Sequence, residues 1–269
     1  MILRLIRTYP LAAFFLLAYG FSWLVGLPRL AGWITGFPID ILVAGLGPAI
    51  AGIGVAGITK GRAEIRNLLS GVSHWRVGLR WWLFAFCFFP LLMLLAIGVN
   101  RLAGSDLGES LSGEIPSNWL LLPLLAGVLL AALVEEIGWR GYAWPKLRHR
   151  FPLLPAGVIL GILWACWHLP LFFIKGMPQA NLPFLPYLIM TIAVAIWLGW
   201  LHSRTQSILL ATVCHAALNG AGSFPGSHSM PVLATFAGLA LILAAGLVFI
   251  SRTISSKDPI HGSSRDSAV

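Results

Sequence analysis

Long apolar runs, separated by short polar stretches, dominate this chain. Eight of them approach the roughly 20 residues of helix needed to cross a bilayer core of about 30 Å. They fall at 9–27, 39–59, 81–100, 118–144, 154–174, 183–203, 207–222 and 231–251. The seventh is short and the fourth is long. The pattern predicts an all-α polytopic membrane bundle of about eight helices. The first run follows Arg4 and Arg7 and looks like a signal peptide. It is longer than a usual signal core and shows no small-x-small cleavage site, so it reads as a retained helix. The polar, Ser-rich tail at 252–269 reads as disordered.

Composition agrees with a bilayer as solvent. The 269 residues are 58% hydrophobic and 10% charged, against about 25% charged in soluble domains. The net charge of +9 would suggest nucleic acid in a soluble protein. Here its distribution explains it and excludes a nucleic-acid partner. With the N-terminus in the cytoplasm, fourteen of the eighteen basic residues fall in cytoplasmic segments. Only Arg29, Arg101 and Lys175 fall on the far side, and Arg140 lies within a span. This alternation predicts eight spans with both termini cytoplasmic. It places the protein in the cytoplasmic membrane. The basic linker Gly61–Arg80 reads as an orienting loop or an interfacial helix. Cys87, Cys166 and Cys214 lie in apolar runs at spacings that match no zinc or disulfide framework, and read as inert thiols.

Ionisable residues within spans are costly and usually functional. Span four carries Glu135, Glu136 and Arg140; span five carries His168; span seven carries His215 and Asn219. Glu136 and Arg140 are i,i+4 and can pair on one face. Glu135 is turned about 100° away and is left without a matching cation, which makes it a candidate base. His215 and Asn219 share a face, and Trp164, four residues before His168, can wall one side of that imidazole. At 1.5 Å per residue, Glu135, His215 and His168 lie roughly 13, 12 and 20 Å from the cytoplasmic side. With ordinary tilt they can share a layer, which predicts one site opening to the cytoplasm. Glu135 could activate water. His168 and His215 could hold water, bind a metal or steady an oxyanion. Asn219 could donate to the oxyanion or orient His215. Glu135, His168 and His215 also fit the donor set of catalytic Zn2+, so the metal stays open. Each feature alone has a structural reading as a satisfied core residue or pair. Their combination at similar depth, in a chain so poor in charge, favours a site.

Glu135-Glu136-x3-Arg140, then Trp164-x3-His168, then His215-x3-Asn219, in that order, resemble the motifs of the CPBP family. These are membrane proteins that include CAAX proteases and bacteriocin-processing proteins, related to the Ras-converting CAAX prenyl endopeptidase. Gly138-Trp-Arg-Gly-Tyr-Ala-Trp-Pro145 resembles the surroundings of the first motif. Trp164 stands where the second motif often has Phe. The resemblance implies a catalytic core at 118–222, preceded by three helices and the basic loop (1–117) and followed by a last helix (223–251) and the tail. It implies an intramembrane endopeptidase, glutamate- or metal-dependent, acting on a peptide or lipidated protein substrate. Glu135 would be the water-activating base. Glu136, Arg140, His168, His215 and Asn219 would complete the site. Two other classes compete: a proton-coupled transporter, because buried Glu and His also serve pumps, and a non-catalytic immunity or scaffold protein. The absence of a visible internal repeat weighs against the transporter.

Overall fold

A computed structural model of the protein describes residues 1–36, 39–107 and 118–255, and every regular element among them is helical. Six stretches are long and apolar enough to cross a bilayer: Pro10–Leu30, Ile39–Lys60, Leu79–Leu102, Leu153–Phe173, Phe184–Thr205 and Met230–Leu247. Two further apolar helices, Asn118–Glu136 and the shorter Ile208–Ala221, account for the remaining hydropathy runs. The protein is thus an all-α, multi-pass membrane protein. Its last helix runs on to Ser255, and the rest of the polar tail lies outside the described residues.

Three of the runs are interrupted, each for a local reason. The chain starts with α1 (Ile2–Thr8) and α2 (Pro10–Leu30). The second run then splits into α3 (Ile39–Ala44) and α4 (Gly47–Lys60), with Pro48 in the first turn of α4. Proline has no N–H and suits a helix start rather than its middle. The basic linker forms α5 (Arg62–Ser70), which buries Leu68, before α6 (Leu79–Leu102). The fourth run, expected as one span over 118–144, is instead α7 (Asn118–Glu136), a π-helical stretch Ile137–Ala143 and α8 (Trp144–Arg150). Packing selects the wide turn: a side chain at Gly138 would meet the Pro48 backbone at 2.5 Å, and Trp139, Tyr142 and Trp144 are all buried. The fifth run, α9 (Leu153–Trp167), gives way to a 3₁₀ turn, Leu169–Phe173, with Pro170 at its start. The remaining helices are α10 (Phe184–Thr205), α11 (Ile208–Ala221) and α12 (Met230–Ser255).

Close helix contact positions the central elements. Water cannot drive association between helices already in lipid, so small residues that let backbones approach take over. Gly157 and Gly161 lie one turn apart on α9, and a Cβ on either would come within 2.5 Å of Ile196 or Ile192 of α10. At one end of the bundle, Ser207 caps α11 by accepting from Leu210 N–H and donates to the His74 carbonyl at 2.6 Å. Arg7 donates to the Ile58 carbonyl, and Glu64 lies between Lys60 and Lys146 at 3.8 and 3.7 Å. At the other end, Arg29 binds both oxygens of Asp40, and Asn100 joins α6 to Thr235 of α12. The bundle therefore has a basic pole and an opposite pole. The opposite pole carries the loops at 168–183 and 222–229.

Candidate active site

The adjacent carboxylates at the end of α7 face different ways. Glu136 is fully buried, and its Oε1 accepts from Arg140 Nη1 at 2.8 Å and from His215 Nδ1 at 2.9 Å. Glu135 is half-buried and lines a cavity of about 740 Å³. Its Oε2 accepts the Trp164 indole N–H at 2.8 Å. Trp164 is the hub of the cluster. The Arg140 guanidinium lies 4.6 Å from its ring centroid. The rings of His215 and His168 lie 5.1 and 6.0 Å away.

Both histidines are fixed through Nδ1. His168 caps the end of α9, with Nδ1 2.9 Å from the Trp164 carbonyl. A carbonyl only accepts, so Nδ1 donates and the neutral ring keeps a lone pair on Nε2. The Glu136 carboxylate imposes the same tautomer on His215. The partner of His215 is therefore Glu136, not Asn219. Asn219 is exposed on the cavity wall, one turn further along α11. The cavity thus brings together Glu135, Trp164, His168, His215 and Asn219. Glu136 and Arg140 stand behind it as a buried pair that holds His215 and Trp164.

Zinc was one option for this donor set, but the set is not assembled. Among the described residues, no three His, Cys, Asp or Glu side chains come together so as to hold a metal ion. Trp164 contacts all three expected ligands. Its N–H occupies one Glu135 oxygen, and its ring packs edge-on to His215.

The cavity lies toward the pole that carries the loops at 168–183 and 222–229. Its lining joins Glu135, Val194 and His215 to Pro178, Gln179, Leu182, Ser223 and His228. The last five belong to the loops of the pole opposite the basic one. His228, Gln179 and Tyr187 are cavity residues that the sequence pattern did not reveal, because two lie in irregular loops and Tyr187 sits in an ordinary apolar run. His168 also lines a smaller cleft of about 50 Å³ beside Trp23, Gly26, Ala44 and Ile174, so it stands with Leu171 between two spaces.

Residues 117–221 match the family model described as type II CAAX prenyl endopeptidase, Rce1-like. The chain is also 31% identical over 142 residues to a Methanococcus maripaludis protein named CAAX prenyl protease 2. That match covers 50% of this chain and 52% of the relative, so the chain spans about half the length of the curated relative it matches. The matched segment contains every residue of the Glu, Trp, His and Asn cluster, so the cluster lies in the part of the chain that is similar to Rce1-like CAAX prenyl endopeptidases.

Proposed function

We propose that the protein is an intramembrane endopeptidase that hydrolyses a peptide bond of a membrane-associated substrate, with Glu135 as the base. One observation carries this reading: a carboxylate fixed by an indole N–H shares a cavity with two imidazoles whose Nε2 atoms are free and with a carboxamide. The Trp164 bond occupies Oε2 and leaves Oε1 for water. Glu135 takes a proton from that water as its oxygen bonds to the substrate carbonyl carbon. The Asn219 amide donates to the developing oxyanion. One of the two imidazoles, His168 or His215, accepts the second hydrogen of that water through Nε2. The proton on Glu135 then passes to the amide nitrogen as the C–N bond breaks, releasing a carboxylic acid and an amine. A positioned base of this kind contributes roughly 10²–10⁴-fold to rate.

The family relationship and the name of the relative support this activity. The test is cleavage of a fluorogenic peptide by purified protein reconstituted in liposomes. Glu135→Gln should lower turnover by about 10²–10⁴-fold and leave thermal stability unchanged. Cleavage at the wild-type rate by Glu135→Gln would remove Glu135 as the base. A wild-type protein inert toward peptides would favour the binding or immunity reading.

A further inference from the structure

We infer that substrate reaches the cavity from the extracytoplasmic side of the membrane, so that the protein acts on an exported or membrane-spanning polypeptide rather than on a lipidated cytosolic C-terminus. This inference deepens the protease reading and rests on it for the word substrate. Its structural part stands on two observations.

The first is the polarity of the bundle. Arg62 and Arg66 project from α5 at one pole, beside the termini of α4, α8 and α10 with Lys60, Lys146, Arg148 and Arg204. The opposite pole carries Arg29, which is held on Asp40, together with Arg101 and Lys175. Short loops rich in Lys and Arg stay in the cytoplasm. This asymmetry puts the loops at 168–183 and 222–229 on the far side.

The second is the shape of the cavity. Its outer wall consists of those two loops and the first turns of α10 and α12, through Gln179, Tyr187, His228 and Leu233. No residue from α5, α8 or the 71–78 segment lines it. The basic pole is closed by buried Trp139, Trp144 and Leu147 and by the tie between Ser207 and His74. A peptide arriving from the cytoplasm would have to part these packed elements. One arriving at the other pole meets a mouth lined by Gln179, Ser223 and His228, then walls of Met190, Val194 and Leu218, and then Glu135. That order suits an apolar extended segment whose flank stays in water.

Sidedness can be read in a variant without Cys87, Cys166 and Cys214, given a single new cysteine by His228→Cys, Lys175→Cys or Arg66→Cys. All three positions are exposed. In intact cells, a membrane-impermeant maleimide should label the first two without permeabilisation and Arg66→Cys only after it. The reverse pattern, or labelling of Arg66→Cys and Lys175→Cys from the same side, overturns the inference. Lys175→Cys reports the same face should His228→Cys fail to accumulate. In oriented proteoliposomes, a fluorogenic peptide should be cleaved only when supplied on the His228 side. Cleavage in detergent combined with cleavage only from the Arg66 side would defeat the inference and leave the protease reading standing. No cleavage in detergent at all would defeat the protease reading and leave the sidedness result intact.

Discussion

Removing the Glu136–Arg140 pair one residue at a time and then together tests how the site is built. Both side chains are fully buried, and one 2.8 Å bond joins them. Arg140→Met would leave a buried carboxylate with His215 alone, and Glu136→Leu would leave a buried guanidinium with only the Trp164 ring. Breaking a buried pair by deleting one partner costs about 3–5 kcal/mol, because the other charge is left uncompensated. At about 2–4 °C per kcal/mol for a chain near this size, each single variant should melt roughly 6–20 °C lower. Replacing both by apolar residues removes the stranded charge. The double variant then loses the His215 hydrogen bond to a carboxylate, about 1.5–3 kcal/mol, and the cation–π contact, about 2 kcal/mol. Its loss of about 3.5–5 kcal/mol should therefore fall well short of the roughly 6–10 kcal/mol sum of the two singles. Tryptophan-fluorescence melts in detergent, run beside the peptide-cleavage assay, supply both readouts. All three variants should be inactive, since each loosens His215 or Trp164. A double variant whose destabilisation equals the sum of the singles would refute the pairing. Full activity in the double variant would refute its role in holding the site.

Other substitutions probe separate parts. Trp164→Phe keeps the aromatic wall and removes the donor to Glu135; a hydrogen bond to a charged group is worth about 1.5–3 kcal/mol, so kcat/KM should fall about 10- to 100-fold. Asn219→Ala should lower kcat about 10²–10³-fold, as loss of an oxyanion donor does, with KM little changed; a change in KM alone would make Asn219 a binding residue. Gly161→Val should force α9 and α10 apart at Ile192 and cost about 1–3 kcal/mol, seen as a lower melting temperature; no shift would show that the close approach is dispensable.

The helices were legible because a bilayer demands uninterrupted apolar runs, and few sequence signals are stronger. The polar cluster was legible for the related reason that lipid makes every buried charge conspicuous. Glu135 and Glu136 could even be told apart by their rotation about α7. Contacts between segments distant in sequence were not legible. Nothing in the sequence pattern links His215 to Glu136, 79 residues away, in preference to the Asn219 beside it. The wide turn at Ile137–Ala143 reflects the fit of Gly138 against Pro48, a tertiary constraint with no periodic trace. The direction of the cavity depends on how two irregular loops fold over the ends of four helices, which hydropathy does not encode.

The imidazole at position 168 is a partition as well as a polar group. On one side lies the larger chamber with the carboxylate. On the other lies a narrow cleft walled by Trp23, Gly26 and Ala44. Truncating it to alanine would delete a nitrogen and also breach the wall, merging reaction space with a fissure beside α2 and α3. Lost turnover in such a variant therefore has two possible origins, leaked geometry and missing chemistry. A residue that fills the gap without a basic nitrogen, such as phenylalanine, separates them: the barrier is restored while the proton acceptor is not.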